Sequence, residues 1–368
     1  MADLTTTLIH HSYVPPEGFA APQPGVFKAS TVIFPNVAAM RNFEWKDKSA
    51  YTYGLHGTPT TYMLEERLCT LEGGLQCLLV SSGLAAIANV ALSLLKTGDE
   101  VLIPDNAYGP NKVLAAGELK AWGITHRFYD PLSPQDLAAK ISDKTRLVWL
   151  EAPGSVTLEF PDLCEQVRLC KAHGVVTALD NTWGAGLAFA PFDLVPGVSS
   201  ALGVDISVHA LTKYMNGHGN SIGGIIVDSG KFPWAEHKAR FKRLNEPDVS
   251  YHGVVYTEAL GAAAYIGRAR VVPLRNMGAA LSPMNAFLIL QGIETLALRM
   301  DRICDNTLKI AGYLKRHSKV GWVNYAGLSD HPDHALVKKT MGGRASESGL
   351  AMCIHRKSGA RITETTLR

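Results

Sequence analysis

Short apolar segments that alternate with helical segments constrain the fold of this chain more than any other feature. Between about residues 60 and 210, the runs at 77–80, 146–150 and 175–180 have the composition of buried strands. Helical segments lie between them, for example at 85–96 and at 161–173, and the second of these stops at a glycine, as helices often do. Strands that alternate with helices in this way predict an α/β fold, a mainly parallel sheet with helices on both faces.

The segments on either side of this region differ in character. Residues 1–60 contain clustered prolines and no helical period, which predicts an extended N-terminal arm that lies on another surface. A central domain is predicted over residues 61–255. Beyond it, a long helical pattern begins at Leu281 and runs to about His317, followed by a strand at 320–325. Residues 256–368 are therefore predicted to form a smaller C-terminal domain.

Composition and charge exclude several classes of protein. The chain is 46% hydrophobic and 19% charged, with a net charge of +3, which is ordinary for a soluble protein. It has no polybasic run for nucleic acid or membrane surfaces, no apolar run of membrane-spanning length and no secretory signal. Its six cysteines form no CxxC pair and no zinc pattern, so we expect no metal, and reduced thiols in the cytoplasm.

Lys213 and Asp180 are the residues most indicative of chemistry. Lys213 lies between a short apolar strand and the glycine-rich stretch at 216–224, and Asp180 ends an apolar strand. A buried lysine can form an imine, and a carboxylate can keep a pyridine nitrogen protonated. Together these are what a protein contributes to pyridoxal phosphate chemistry. The alternative is a solvated loop lysine and an aspartate that caps a turn.

Four candidate residues follow predicted strands: Lys213, Asp180, Tyr108 and Gly83. Ligands of open α/β sheets bind beyond the carboxyl ends of the strands, so these residues are predicted to converge on one edge. Gly83 also opens a helix, where free N–H groups can hold a phosphate, although an ordinary strand-to-helix turn is the alternative. The segment has neither a Walker nor a dinucleotide pattern.

Several motifs resemble those of the pyridoxal-phosphate enzymes of cysteine and methionine metabolism, the transsulfuration family. Residues 53–58 (YGLHGT), 151–155 (EAPGS) and 180–183 (DNTW) are similar to bacterial cystathionine β-lyase, whereas residues from about 218 onward, including 246–253 (EPDVSYHG), resemble O-acetylhomoserine sulfhydrylase. The resemblance implies an aspartate-aminotransferase-like fold, fold type I, with 61–255 as the cofactor-binding domain and a smaller α+β C-terminal domain. It also implies a small sulfur-containing amino acid as substrate.

The resemblance also implies a role for individual residues. Lys213 would form the imine and shuttle protons, Asp180 would pair with the pyridine nitrogen, and Tyr108 would stack on the ring. Ser155 would lie near the cofactor's hydroxyl group. Tyr53 would reach the phosphate of a neighbouring subunit, which implies a homo-oligomer, a dimer or a tetramer. The remaining residues implied to bind phosphate are Gly83, Leu84, Ser207 and Thr212.

The chain departs from the family pattern at two places. Leu55 stands where the family usually has an arginine, and His56 is a partial substitute. From about residue 346 the tail matches no family motif, so the C-terminal domain is expected to be shortened and to lack the arginine that holds the substrate carboxylate. Arg356 and Arg361 lie in this tail, but neither aligns with that role.

Three functions remain open from the sequence. The leading expectation is a carbon–sulfur lyase that cleaves cystathionine by β-elimination in methionine biosynthesis. The first alternative is an O-acetylhomoserine sulfhydrylase, which performs γ-replacement with sulfide. The second is a catalytically impaired family member, because the expected carboxylate arginine is missing from the tail.

Overall fold

A computed structural model describes most of the chain. The described residues are 4–10, 17–18, 21, 23–42, 48, 50–188, 190–195, 202–345, 352–356 and 363–365. Much of the unusual tail, including Arg361, lies outside them, and so do the predicted arm prolines Pro15, Pro16 and Pro22.

The helices have the following bounds: α1 Leu4–Ile9, α2 Val37–Arg41, α3 Pro59–Glu72, α4 Gly83–Leu94, α5 Gly109–Leu114, α6 Pro134–Lys140, α7 Leu163–Ala172, α8 Lys242–Asn245, α9 Tyr256–Leu260, α10 Ala264–Ala269, α11 Arg275–Met277, α12 Pro283–Glu294, α13 Leu296–Arg316 and α14 His334–Ala345. Two π-helical turns, Ala115–Leu119 and Arg270–Leu274, continue α5 and α10, and a 3₁₀ turn covers Gly261–Ala263.

The strands have the following bounds: β1 Gln76–Val80, β2 Glu100–Pro104, β3 Thr125–Tyr129, β4 Thr145–Glu151, β5 Val176–Asp180, β6 Ile206–Ala210, β7 Gly224–Asp228, β8 Val320–Asn324, β9 Met352–Arg356 and β10 Thr363–Thr365. Seven strands form one sheet in the order β1-β7-β6-β5-β4-β2-β3. β2 is parallel to β3 and β4, β4 is parallel to β5, and β1 is antiparallel to β7. The predicted mainly parallel α/β sheet is confirmed. The order of the second sheet is β10-β9-β8.

Several elements differ from the sequence prediction, among them the short helices α1 and α2, which lie in the arm that was predicted to be extended. β7 was not predicted, because its short apolar run directly follows a glycine-rich stretch and carries no alternation that marks a strand. The predicted single helix up to His317 is two helices, α12 and α13, with a break at Thr295, whose backbone (φ −103°, ψ 5°) leaves the helical region.

The chain divides into two compact units. Unit 1 comprises residues 1–94 and 208–294, and unit 2 comprises residues 95–207 and 295–368. The boundaries predicted from the sequence, 1–60, 61–255 and 256–368, stay a prediction. In the predicted arm, α2 begins because the Asn36 side chain accepts the N–H of Ala39 at 2.8 Å.

The carboxyl end of α4 in unit 1 is held by two arginines, Arg268 and Arg243. Arg268, 5% exposed, donates from Nη1 to the carbonyl of Ser93 at 2.9 Å and to that of Leu92 at 3.3 Å. Arg243 donates to the Leu92 carbonyl at 3.0 Å. Cations at a helix C-terminus satisfy carbonyls that have no partner in the helix and oppose its dipole. This contact fixes α4, whose other end carries Gly83.

Candidate active site

Two carboxylates lie side by side at the ends of neighbouring parallel strands in unit 2. Glu151 ends β4, Asp180 ends β5, and the two are direct register partners. Burial, followed by the charge of Asp180, raises the pKa of Glu151 to about 8. The pair can therefore hold one proton near neutral pH, which is typical of groups that take part in proton transfer.

Glu151 is oriented by hydrogen bonds to both of its oxygens. The Ser155 hydroxyl donates to Oε1 at 2.5 Å, and the backbone N–H of Tyr108 donates to Oε2 at 2.9 Å. Both bonds favour the ionised carboxylate and so lower the pKa of Glu151 against the effect of burial. The Tyr108 side chain is 43% exposed, so its ring is open to a ligand. The structure thus brings Tyr108 and Ser155 together around Glu151.

The loop that carries Ser155 follows β4 and is tightly packed. A Cβ added at Gly154 would lie 2.1 Å from the Asn106 amide nitrogen, which itself donates to Glu159 at 3.0 Å. Val156 adopts a φ of 69°, in the left-handed region that a β-branched residue rarely enters. Backbone of this kind persists only where its surroundings hold it, and it occurs often at functional sites.

Asp180 is followed by a short turn that fixes its carboxylate. The backbone N–H of Thr182 donates to Asp180 Oδ1 at 3.1 Å, and the aspartate is only partly buried. In this turn the indole nitrogen of Trp183 is buried and has no hydrogen-bond partner among the described residues. A buried N–H without an acceptor is costly, so this donor suits a ligand group beside Asp180.

Lys213 lies in unit 1, in the turn that follows β6. Its backbone N–H donates to Ala210 at 3.1 Å, its carbonyl accepts from Gly217 at 2.8 Å, and its side chain is exposed. The hydroxyl of Thr212 accepts the N–H of Gly223 at 3.2 Å and donates to the Gly223 carbonyl at 3.3 Å. These bonds fix the turn. The exposed side chain of Lys213 differs from the buried lysine that the sequence analysis expected.

Gly83 opens α4 beside this turn, at a point where no side chain fits. A Cβ at Gly83 would lie 2.6 Å from the Cβ of Ala210. The Ser82 hydroxyl caps the helix by accepting the N–H of Ala85 at 3.1 Å. The N–H groups of Gly83 and Leu84 belong to the first turn, where the helix supplies no acceptor, so they suit an anion.

Tyr53 and His56 belong to a segment of unit 1 that a buried ion pair holds in place. Arg270 donates from Nη2 to both carboxylate oxygens of Glu65, at 2.9 and 2.7 Å, and from Nη1 to the His56 carbonyl at 2.6 Å. Tyr53 is 47% exposed. Burial lowers the pKa of His56, and the positive charges of Arg270 and Arg275 lower it further by smaller amounts. This histidine is therefore neutral near pH 7.

The predicted site residues thus fall into two groups. Asp180, Tyr108 and Ser155 lie in unit 2, together with Ser207, which is fully buried in β6. The predicted residues of unit 1 are Lys213, Thr212, Gly83, Leu84 and Tyr53. The convergence of all candidates on one edge, and the phosphate contact of Ser207, stay predictions. Glu151 was not predicted as a site residue, because the sequence analysis included it only within the motif at 151–155. Its position at the end of a predicted strand was the signal that could have identified it as a site residue.

The described part of the chain contains no group of three or more His, Cys, Asp or Glu residues that could hold a metal ion. Among the described helices, none has the length and apolar composition needed to cross a membrane.

Comparisons with known proteins give a consistent result. Residues 5–361 match the model of a family described as "Cys/Met metabolism PLP-dependent enzyme". The chain is 37% identical over 314 residues to homocysteine/cysteine synthase of Saccharomyces cerevisiae, covering 85% of this chain and 69% of the relative. It is 39% identical over 289 residues to O-acetyl-L-homoserine sulfhydrylase of Leptospira meyeri, covering 76% of this chain and 63% of that relative.

A solved structure agrees with these relatives. This is the crystal structure of a putative O-acetylhomoserine (thiol)-lyase of Campylobacter jejuni, which carries a pyridoxyl-lysine monophosphate. It superposes with a TM-score of 0.87 at 28% identity, over 96% of this chain and 85% of that one. The predicted fold type I architecture is therefore confirmed. The chain spans about two thirds of the length of the curated relatives it matches.

Proposed function

Because the chain belongs to the Cys/Met metabolism PLP-dependent enzyme family, we propose that it makes homocysteine from O-acetylhomoserine and sulfide, releasing acetate. The similarity to proteins named homocysteine synthase and O-acetyl-L-homoserine sulfhydrylase carries this proposal. These relatives support the γ-replacement alternative better than the cystathionine lyase that led the sequence analysis. Carbon–sulfur chemistry dependent on pyridoxal phosphate is common to both.

The described residues fit the cofactor. Lys213 offers an exposed amine on a turn fixed by Thr212, suited to covalent attachment of an aldehyde. The N–H groups of Gly83 and Leu84 suit a phosphate, and Asp180 suits a pyridine nitrogen. Tyr108 offers an exposed ring for stacking. Pyridoxal phosphate, when bound, stores the electron pair released when a Cα–H bond breaks.

The protein's own groups would carry the proton transfers. We assign Lys213 to remove the Cα proton, a role that suits an amine freed when the substrate's amino group replaces it. The γ-replacement also requires a proton to leave Cβ and later to return. Lys213 would move this second proton as well, since elimination at Cγ and addition of sulfide need both positions activated. Tyr108 is an additional candidate for proton transfer at the substrate.

Glu151 would act through Asp180. Its carboxyl, with a pKa raised to about 8, can hold a proton while Asp180 remains ionised. A single negative charge is then available to a protonated pyridine nitrogen. Ser155 and the Tyr108 backbone hold Glu151 in this position at 2.5 and 2.9 Å. Ser155 itself, predicted near the cofactor's hydroxyl group, would contribute by fixing the carboxyl pair.

Assembly, location and carboxylate binding belong to the same proposal. Tyr53, 47% exposed, would bind the phosphate of a neighbouring subunit, which requires a homo-oligomer. The cytoplasmic location expected from the sequence is part of this proposal. The carboxylate-binding residue stays open, because Arg361 lies outside the described residues and only the backbone of Arg356 is described.

A second candidate rests on a specific sequence observation. Residues 151–155 and 180–183 are similar to the motifs of cystathionine β-lyase. These two segments supply Glu151 and Asp180, the two members of the carboxylate pair. The enzyme could therefore eliminate at Cβ and release pyruvate, ammonia and homocysteine from cystathionine. The third candidate is a catalytically impaired member of the family.

One assay separates the three. The purified holoenzyme is supplied either with O-acetylhomoserine plus sulfide or with cystathionine, and homocysteine and pyruvate are measured separately. The proposal predicts homocysteine without pyruvate from the first mixture and a much lower rate with the second. Pyruvate from cystathionine as the main activity would establish the lyase instead. No product from either mixture, with cofactor bound, would indicate the impaired enzyme. Lys213→Ala is the matched control for background chemistry.

A further inference from the structure

Two loops of unit 2 meet beside the carboxylate pair and are joined by a side-chain hydrogen bond. The Tyr108 loop lies between β2 and α5, and the Ser155 loop follows β4. Because β2 and β4 are parallel neighbours, both loops leave the same edge of the sheet. The Asn106 amide in the Tyr108 loop donates to Glu159 Oε2 in the Ser155 loop at 3.0 Å. We call this hydrogen bond the bridge.

The Ser155 loop, residues 154–159, is closed by its own backbone. The N–H of Gly154 donates to the Glu159 carbonyl at 2.9 Å, and the N–H of Leu158 donates to the Gly154 carbonyl at 3.1 Å. Leu158 has a φ of 59°, in the left-handed region that branched side chains seldom adopt, so the loop has a specific backbone path. A contact made at Glu159 therefore also restrains Ser155.

One carboxylate oxygen of Glu159 accepts two side-chain bonds. Oε2 accepts from the Asn106 amide at 3.0 Å and from the Thr157 hydroxyl at 3.2 Å. The Thr157 bond stays within the Ser155 loop, whereas the Asn106 bond crosses to the Tyr108 loop. A carboxylate oxygen only accepts hydrogen bonds, so it orients the Asn106 amide with the nitrogen toward Glu159.

This orientation of Asn106 leaves its other polar atom unfavourably placed. Asn106 Oδ1 is buried and has no hydrogen-bond partner in the part of the chain that the structure describes. A Cβ added at Gly154 would lie 2.1 Å from Asn106 Nδ2 and 2.9 Å from Oδ1, so the amide packs directly on the Ser155 loop. A buried acceptor without a donor is destabilising, and it persists only where another contact holds it. The bond to Glu159 is such a contact.

The bridged loops are the two that orient Glu151. The Ser155 hydroxyl donates to Glu151 Oε1 at 2.5 Å, and the Tyr108 backbone N–H donates to Oε2 at 2.9 Å. Asn106 lies two residues before Tyr108, and Glu159 lies four residues after Ser155. A change in the separation of the loops would therefore move at least one of these donors away from Glu151.

We propose that Glu159 is a positioning residue, which acts through Asn106 to hold the Tyr108 and Ser155 loops against Glu151. Its effect on turnover rests on the proposed function, whereas the geometry that it maintains can be measured without the cofactor. The role requires an acceptor at the place of Oε2 and does not require a negative charge.

Four variants separate the bridge from the other properties of Glu159. Glu159→Ala and Asn106→Ala each remove the bridge, and the second removes no titratable group. Glu159→Gln keeps the bridge and loses the charge, because the amide oxygen can take the place of Oε2 and accept both donors. Thr157→Val is the matched control, since it removes the other bond to the same oxygen and leaves the bridge.

The first measurement is urea unfolding of the cofactor-free, full-length chain as a function of pH. The raised pKa of Glu151 makes the folded protein less stable as the pH rises from about 4.5 through about 8. The bonds from Ser155 and Tyr108 lower this pKa, so loss of the bridge should move the alkaline fall in stability to higher pH. Glu159→Gln and Thr157→Val should keep the wild-type profile. Asp180, the charged group beside Glu151, is unchanged in all four variants.

The second measurement is steady-state kinetics of the holoenzymes with O-acetylhomoserine and sulfide. In Glu159→Ala and Asn106→Ala, kcat should fall by roughly tenfold or more while KM changes by less than about threefold, because a misplaced carboxylate pair affects chemistry more than substrate binding. Glu159→Gln should restore kcat. In a Ser155→Ala background, Glu159→Ala should have a smaller effect than in the wild type, because part of its action passes through Ser155.

Three results would overturn the bridge. The first is a Glu159→Gln enzyme as impaired as Glu159→Ala, which would assign the effect to charge. The second is a wild-type pH profile in Asn106→Ala, and the third is full additivity of Glu159→Ala with Ser155→Ala. If Glu159→Ala does not fold, Asn106→Ala supplies both measurements. If the wild type makes no homocysteine, the proposed function fails, and the cofactor-free pH profiles still decide whether the bridge positions Glu151.

Discussion

Replacing Glu151 by glutamine should change how the stability of the cofactor-free protein depends on pH. Burial and the neighbouring Asp180 raise the pKa of Glu151 from an ordinary 4.5 to about 8. The folded protein therefore holds this proton more tightly than the unfolded chain. For a carboxyl with a raised pKa, stability is greatest below the unfolded value and falls as the pH rises from about 4.5 through about 8.

The size of the effect follows from the shift. Each pKa unit corresponds to about 1.4 kcal/mol, so the full shift is about 5 kcal/mol at alkaline pH. Relaxation of the carboxyl toward solvent reduces this, and we expect about 2 to 5 kcal/mol. Glu151→Gln has no proton to lose, so its advantage over the wild type should grow by this amount between pH 5 and pH 8.5.

Urea unfolding of the two cofactor-free proteins across that pH range measures the difference. The midpoints should diverge as the pH rises, with the glutamine variant the more stable at pH 8.5. Glu118→Gln, which removes an exposed carboxylate in the same unit, should keep the wild-type slope. Parallel pH profiles for wild type and Glu151→Gln would refute the assignment of a buried, protonated carboxyl beside Asp180.

Three further variants test separate parts of the structure. Asp180→Asn should retain cofactor by absorbance but lose most activity, because an amide cannot keep a pyridine nitrogen protonated; near-normal kcat would exclude the role. Ser155→Ala removes the 2.5 Å bond to Glu151, so the alkaline fall in cofactor-free stability should move to higher pH, and an unchanged midpoint would argue against that bond. Arg268→Leu leaves the Ser93 carbonyl without its 2.9 Å donor and should lower unfolding free energy by roughly 1 to 3 kcal/mol; a loss too small to detect in urea would contradict this cap.

The sequence predicted the parts of the fold in which composition and periodicity agree. The buried strands β1, β4 and β5 are apolar runs bounded by turns, so their existence follows from residue type. β7 follows a glycine-rich stretch, and its pairing with β1 across more than a hundred residues has no local signal. The sequence also gives no signal for the break at Thr295, because threonine interrupts a helix only when its surroundings favour it.

The candidate site shows the same limit. Lys213 and Asp180 could be identified from their positions after strands, because the edge of a parallel sheet collects such residues. Glu151 required knowledge that β4 pairs with β5 in the register that places it beside Asp180.

Hydride reduction followed by peptide mapping tests the central claim most directly. The claim is that Lys213 carries pyridoxal phosphate in covalent linkage. The purified enzyme should be yellow, lose its visible absorbance on treatment with borohydride, and yield one labelled peptide with the label on Lys213. Lys213→Ala should give no stable label and no turnover. A label on any other lysine of the wild-type enzyme would contradict the account.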